Sequence, residues 1–298
     1  MKCVVTGGAG FIGSNLVDRL IKEGWQVRVV DNESSTDNEE FHWNNSAENH
    51  KVDICDYEKL LPIFEGATVI FHLAAESRIQ ASIKNPSRAV KTNIQGTLNV
   101  LEAARHHGVS RVIYSGTSSA YGLKNAPPLN EDMDKDCLNP YSLTKTCGEE
   151  LCLLYHALYG LDTVAFRYFN VYGPRQPIKG SYAPVTGVFL RQKKNNKPLT
   201  IVGNGEQRRD FVHVEDVVRA NLDAANLQNK KCVGQVINVG SGKNYSIIEI
   251  AEMISDRKTF LNARLGEAKE TLADITKFEE IFCWKPEDRL KNFIGRNS

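Results

Sequence analysis

What the chain lacks narrows it first. No apolar run approaches the roughly 20 residues that a membrane-spanning helix requires, so no membrane partner is expected. Net charge is nearly absent too: 37 Lys and Arg stand against 36 Asp and Glu, leaving no overall field to draw nucleic acid. The basic cluster RQKKNNK at 191–197 is a local exception and reads as a solvated helix end. Seven cysteines, at 3, 55, 137, 147, 152, 232 and 283, are an odd number without any C-x-x-C pair, so neither a disulfide frame nor a zinc site is expected. They read as reduced, small apolar residues. Among the histidines, His106 and His107 are adjacent and on a helix would point to different faces, so no metal is expected. There is no internal repeat, no low-complexity tract, and no signal peptide ahead of the opening strand-like MKCVVT, which points to the cytoplasm.

What is present is the composition of a globular enzyme-sized chain, 298 residues with 41% hydrophobic and 24% charged side chains. Strand-like runs alternate with longer helical patterns: KCVVT, FIGSNLVDRLIKEG, WQVRVVD, VIFHLAA, RAVKTNIQGTLNVLEAARHHG, RVIYSG. VIFHL and RVIYS are almost continuously apolar, as parallel strands covered on both faces are. The pattern predicts an α/β fold with a doubly wound parallel sheet. After TVAFRYFN it breaks into the irregular VYGPRQPIKGSYAPV, so a smaller, mainly C-terminal region is expected from Asn170. FVHV and QVINVG read as strands that revisit the main sheet. The expected division is therefore 1–169, revisited by about 211–241, against 170–210 and 242–298.

In TGGAGFIGSNLVDRL a strand turns into a helix through Gly7, Gly10 and Gly13. The first glycine suits a tight turn, the second close approach to a pyrophosphate, and the third close helix–strand packing, with the anion held at the helix N-terminus. The next strand ends in Asp31, whose carboxylate can accept from a ribose diol and would repel a 2′-phosphate; Asn32 and Glu33 supply no cation to offset that. This is a Rossmann-like arrangement for NAD in preference to NADP. Asp53 and Ile54 follow the next strand and are candidates for the adenine, although an acidic loop residue beside a core isoleucine is an equal reading. Tyr141 and Lys145 in YSLTK share one helix face and read equally well, taken alone, as solvated residues or as a phenol beside an amine poised for proton transfer.

TGGAGFIG, HLAA (72–75), SGTSSAYG (115–122), YSLTK, RYFNVYGPRQ, GEQRRDFVHVEDVVRA, INVGSG and RLGEAKETLADI together resemble the extended short-chain dehydrogenase/reductases, more narrowly the NAD-dependent nucleotide-sugar 4-epimerases acting on UDP-glucose or UDP-N-acetylglucosamine. Two features depart from that pattern: the segment between Asp31 and Asp53 is short, and the chain stops soon after WKPEDRL.

The resemblance implies that Tyr141 is the acid/base, that Lys145 anchors the nicotinamide ribose and, together with the cationic nicotinamide, lowers the Tyr141 pKa, and that Thr117 is the partner hydroxyl. It also implies that Phe11, Ile12, Leu73, Ala74, Ala75, Asn93, Ser115 and Phe169 line the cofactor. For the UDP-sugar it implies Asn170 as a hydrogen-bonding residue, Arg209 and Arg264 as phosphate clamps, and Thr271 at the C2 substituent, where a small side chain admits an N-acetyl group. Dehydratases of this scaffold place an acidic pair after the hydroxyl residue and decarboxylases commonly a glutamate; here Ser118 and Ser119 stand there, which favours epimerisation. A non-catalytic NAD-binding regulator is a lesser alternative. Glu131 and Asp132 receive no chemistry. A homodimer is expected through the helices of about 88–107 and 141–159, which correspond to those that pair across a two-fold axis in the family and carry apolar residues beyond one core stripe, Leu98, Val100 and Leu101 on the first and Leu151, Leu153 and Leu154 on the second.

Overall fold

The computed structural model describes residues 1–35, 38–178, 183–263, 266 and 268–298. Six strands, β1 (Lys2–Thr6), β2 (Gln26–Asp31), β3 (Glu48–Lys51), β4 (Val69–His72), β5 (Arg111–Thr117) and β6 (Asp162–Tyr168), run parallel in one sheet. The chain then leaves that sheet for β7 (Asn170–Tyr172), β8 (Leu199–Val202) and β9 (Arg208–His213). It returns through β10 (Gln235–Val239), which pairs in parallel with β6, and continues into β11 (Asn244–Ser246) and β12 (Lys258–Leu261). The resulting seven-stranded order is β10-β6-β5-β4-β1-β2-β3. Strand order reverses between β1 and β4, and the crevice beyond the carboxyl ends at such a reversal is where open α/β sheets bind ligands.

Helices α1 (Phe11–Lys22), α2 (Tyr57–Leu60), α3 (Ile79–Lys84), α4 (Pro86–Val90), α5 (Gly96–His106), α6 (Pro140–Tyr159), α7 (Val185–Lys194), α8 (Val214–Ala225), α9 (Ile247–Ile254), α10 (Thr276–Phe282) and α11 (Leu290–Asn297) complete the frame. One face of the sheet packs Val5, Phe71 and Phe166 under Leu16 and Leu20 of α1, Val217 of α8 and Phe278 of α10. The other face packs Val4, Ile70 and Val112 under Leu60, Val100 and Leu101 and the α6 residues Cys152 and Tyr155. With both faces covered, β4 and β5 are buried along their whole length and largely apolar, which is the pattern VIFH and RVIYS carry. A separate core of Phe189, Leu199, Ile201, Phe211, Ile250 and Leu290 holds the smaller region together.

Two expectations need correction. FVHV does not rejoin the large sheet: β9 lies between β7 and β11 in a three-stranded sheet, and only QVINV returns as β10. Strand propensity is local, whereas partner choice is settled by distant segments. Val100 and Leu101 also do not form an outward stripe, being fully buried in the chain's own core. Leu98 and Leu151 pack on that same core; Leu154 does face outward as expected, and the exposed apolar residues beside it are Val90, Leu143 and Leu158.

Candidate functional site

Gly7 turns with φ +70°, and a Cβ there would meet the Ala74 backbone nitrogen at 2.7 Å; at Gly13 it would meet the Gly7 carbonyl oxygen at 2.1 Å. These contacts bring β1, the Leu73–Ala74 turn and α1 together only because both positions are glycine. At Gly10 a Cβ would come no nearer than 3.4 Å to any atom, and α1 has neither a side-chain cap nor an acidic residue in its first turn. The helix therefore presents uncapped N–H groups beside an open approach, which suits a pyrophosphate. Asp31 accepts from the backbone N–H of Ala9 (3.1 Å) and of Glu33 (2.8 Å), while burial raises its carboxyl above the usual range. Glu33 is engaged by Lys51 and by the Trp43 indole. Arg88 pairs with Glu76 at 2.7 Å and donates to the Ser34 carbonyl at 2.9 Å, so the nearby guanidinium is already committed.

Helix α6 is started by a capping box: the Asn139 side chain accepts from Ser142 N–H, Ser142 answers the Asn139 backbone, and Pro140 takes a first-turn position. Tyr141 N–H donates to the buried Ser82 hydroxyl (3.0 Å), tying α6 to α3. One turn on, Lys145 is buried with Nζ 4.2 Å from the centroid of the Tyr114 ring, and the Tyr114 hydroxyl donates to the Lys145 carbonyl (3.0 Å). Gly148 makes this possible, since a Cβ there would sit 2.3 Å from the Tyr114 oxygen. A side-chain hydrogen bond joins Thr117 to Tyr141, and the Thr117 oxygen also accepts from Ser119 N–H at 3.1 Å.

Burial brings Lys145 down to about 7 and raises the Tyr141 hydroxyl, against the Thr117 hydrogen bond and the positive charge of Arg78. The expected lowering of Tyr141 by Lys145 is therefore not a property of the chain by itself, because an amine whose own charge is disfavoured by burial is a weak electrostatic partner. Behind this pair, Arg167 on β6 makes a bidentate bond to Glu149 on α6 (2.9 and 2.8 Å) and lies 4.8 Å over the Tyr121 ring. Tyr121 donates to Asn238 on β10 (2.6 Å), which holds the carbonyls of Leu129 and Asp274.

One cavity of about 980 Å³ joins these parts. Its walls include Gly7, Gly10, Phe11, Ile12, Gly13, Asp31, Asn32 and Ile54 at the glycine-turn end, then Leu73, Ala74, Ala75, Ser115 and Phe169. Thr117, Tyr141, Lys145, Asn170, Arg209 and Thr271 line it as well. Two expected cofactor residues are not on its wall. Asn93 is buried, exchanging bonds with the Glu76 backbone and donating to Thr144, and exposed Asp53 accepts from Asn32 and so braces a wall residue instead. Arg264 lies outside the described residues. The reading missed Arg78, Phe41, Gln192 and Thr200, all on the wall. A signal existed for Arg78, which follows the carboxyl end of β4 where ligands of such sheets collect; the Gln192–Thr200 brace between α7 and β8 had none.

The pattern of the NAD-dependent epimerase/dehydratase family matches residues 3–240. A putative UDP-glucose 4-epimerase of Methanocaldococcus jannaschii is 38% identical, over 98% of this chain and 96% of that protein. Among solved structures, UDP-glucose 4-epimerase of Thermotoga maritima with UDP-glucose superposes with a TM-score of 0.91 at 35% identity, covering 100% of this chain and 97% of the other. UDP-glucuronic acid 4-epimerase of Bacillus cereus, in complex with UDP-glucuronic acid and NAD, superposes with a TM-score of 0.89 at 33% identity, covering 100% and 98%. The chain belongs to the NAD-dependent epimerase/dehydratase family, with NAD as its cofactor.

Proposed function

We propose that the protein is a nucleotide-sugar 4-epimerase that inverts C4 of a UDP-hexose through a transient 4-keto sugar. The observation that carries this reading is the cavity wall around Tyr141. Among its described residues the single carboxylate is Asp31, at the glycine-turn end, while Thr117, Ser118 and Ser119 face the reacting end. Removing a proton from C5 and delivering one to C6, as a dehydratase must, needs a carboxylate-like acid and base that un-ionised serines do not replace.

NAD, when bound, supplies the hydride acceptor at C4 and a positive charge beside the phenol. The glycine turn and the α1 N-terminus would hold its pyrophosphate and Asp31 its adenosine ribose. Tyr141, oriented by the Thr117 bond and by Ser82 on its backbone, takes the proton from the C4 hydroxyl and returns it when the ketone is reduced from the other face. Lys145 would hold the nicotinamide ribose. Nucleotide recognition falls to the 170–210 and 242–298 region, with Arg209 held by the carbonyls of Arg208 (2.9 Å) and Lys269 (3.3 Å) and turned to the cavity as a phosphate ligand. Thr271 leaves room for a C2 substituent, so UDP-glucose and UDP-N-acetylglucosamine are both substrates.

Incubation with UDP-glucose, UDP-N-acetylglucosamine and UDP-glucuronate separately, followed by chromatography of the C4 epimers, tests this. Conversion of the first two is expected; conversion of UDP-glucuronate alone, or release of carbon dioxide or water, refutes it. The assembly proposed is a cytoplasmic homodimer whose interface is the outward stripe Leu143, Leu154 and Leu158 of α6, 49–63% exposed in the single chain, together with Val90 of α4. A monomeric mass by light scattering at micromolar concentration would count against it.

A further inference from the structure

Three residues assigned above to the UDP-sugar, Asn170, Arg209 and Thr271, come from three separate segments, and each meets the same buried carboxylate-bearing residue. Asp210 is fully buried on β9 and is not part of the cavity wall. Its carbonyl accepts from the Asn170 side-chain amide at 3.0 Å, its N–H donates to the Thr271 hydroxyl at 3.3 Å, and Arg209 precedes it in the chain. The carboxylate itself accepts four hydrogen bonds. Oδ1 takes the Ser241 N–H (2.8 Å) and hydroxyl (2.9 Å); Oδ2 takes the N–H groups of Gly242 (3.0 Å) and Ala273 (3.0 Å). Gly240 allows the close approach, since a Cβ there would lie 2.6 Å from the Ala273 Cβ and 3.0 Å from Oδ2.

The segment around Thr271 has no regular sheet of its own to hold it. It is stitched at single points: Thr271 N–H to the Arg208 carbonyl (3.0 Å), and the isolated bridge between Leu129 and Ala273. One of the four charge-assisted bonds on the Asp210 carboxylate, from the Ala273 N–H, ties this segment down, and the other three tie the 241–242 turn to the same group.

We propose that Asp210 is a positioning residue for the nucleotide-sugar half of the site, setting the mutual placement of Asn170, Arg209 and Thr271 without touching the ligand. This rests on the nucleotide-sugar reading given above. An asparagine at this position turns its NH₂ either toward the Gly242 and Ala273 N–H groups or toward the Ser241 N–H, beside which the Ser241 hydroxyl can turn to accept; in both orientations at least one N–H contact becomes repulsive, and the 271–273 segment or the 241–242 turn moves away.

The test measures UDP and NAD affinity by calorimetry, together with KM and kcat for the UDP-sugar, in wild type, Asp210→Asn and Ser241→Ala. For Asp210→Asn, UDP binding is expected to weaken at least about tenfold and KM to rise in parallel, with NAD affinity within twofold and kcat changed much less. Ser241→Ala removes one of the four donors and should weaken UDP binding about two- to fivefold in the same pattern. Unchanged UDP affinity in Asp210→Asn, or an equal loss of NAD and UDP, overturns the proposal. Should that variant fail to fold, unchanged UDP affinity in Ser241→Ala overturns it. Wild type that binds UDP but interconverts no UDP-sugar would refute the reaction and leave Asp210 in its role; wild type that binds no UDP would refute both.

Discussion

In an exposed helix, glycine to alanine is a routine way to gain stability. At Gly148 on α6 it should do the reverse. The added methyl would lie 2.3 Å from the Tyr114 hydroxyl, 2.7 Å from Cζ and 3.1 Å from Cε2, so the ring has to move. Overpacking of that kind costs about 1–3 kcal/mol. Moving the ring breaks the Tyr114 bond to the Lys145 carbonyl, worth about 1 kcal/mol, and separates the ring from the buried Lys145 ammonium, worth up to about 2 kcal/mol when charged. Against these stands a helix-propensity gain of about 1 kcal/mol. Packing wins by about 1–5 kcal/mol, which for a chain of this size lowers Tm by about 2–8 °C. Thermal unfolding followed by circular dichroism measures the shift. The companion variant Tyr114→Leu should lose less on receiving the same alanine, because the obstructing ring is gone; a cycle of the four proteins isolates that coupling. A Gly148→Ala protein that melts with or above wild type would refute the reasoning.

Other outcomes follow from the site and the core. Tyr141→Phe should keep its fold and NAD affinity while turnover falls by about 10²–10⁴, the range of general acid–base catalysis, as read by epimer chromatography; a variant within threefold of wild type sinks the acid/base assignment. His72 is fully buried between the hydroxyls of Thr6 (2.7 Å) and Thr97 (3.0 Å), and burial lowers it to about 3. Its folded value lies below its unfolded one, so the unfolded chain takes the proton first and stability falls as pH drops from about 6.5 toward 3. The His72 share of that loss is about 2 kcal/mol between pH 7.5 and 5; an imidazole NMR signal titrating with a midpoint above 6 contradicts this. Thr271→Tyr should impair the N-acetylated sugar pair selectively, with Thr271→Val controlling for the lost hydroxyl, and equal losses on both sugar pairs place Thr271 outside the C2 pocket.

What could be read in advance follows how local its cause is. The glycine turn was legible because Gly7, Gly10 and Gly13 act within a few residues of one another, and Tyr141 and Lys145 because a helix repeats every 3.6 residues. Five of the six early strands and β10 follow the alternation of apolar runs with amphipathic ones; β3, ENHK, is polar and carries no such signal. The sheet to which Arg208–His213 belongs was not legible, since it depends on pairing with Asn170–Tyr172 and Asn244–Ser246. Asn93 illustrates a finer limit. The residue was noticed, but a π turn over Lys91–Gln95 is where it sits, and its amide is spent on Glu76 and Thr144 instead of reaching the cavity. The state of Lys145 marks another limit: motif spacing says which groups are neighbours, while burial sets how readily the amine holds its charge.

The Arg167–Glu149 pair bears on how little the protein has to rearrange during a reaction. It clamps α6, which carries Tyr141 and Lys145, to β6, which leads into Asn170, and through Tyr121 and Asn238 it reaches the turn that starts at Thr117. The donors and acceptors around a developing charge on Tyr141 are thus already aligned before any proton leaves, and reorganisation energy, which in water goes into turning solvent dipoles, is kept small. Because both ions are 2% exposed, removing Glu149 leaves Arg167 buried without its carboxylate, whereas Glu149 without Arg167 still keeps Lys135 at 2.8 Å. The harm would spread to every group in the frame at once, as a looser transition-state geometry more than as the loss of one contact.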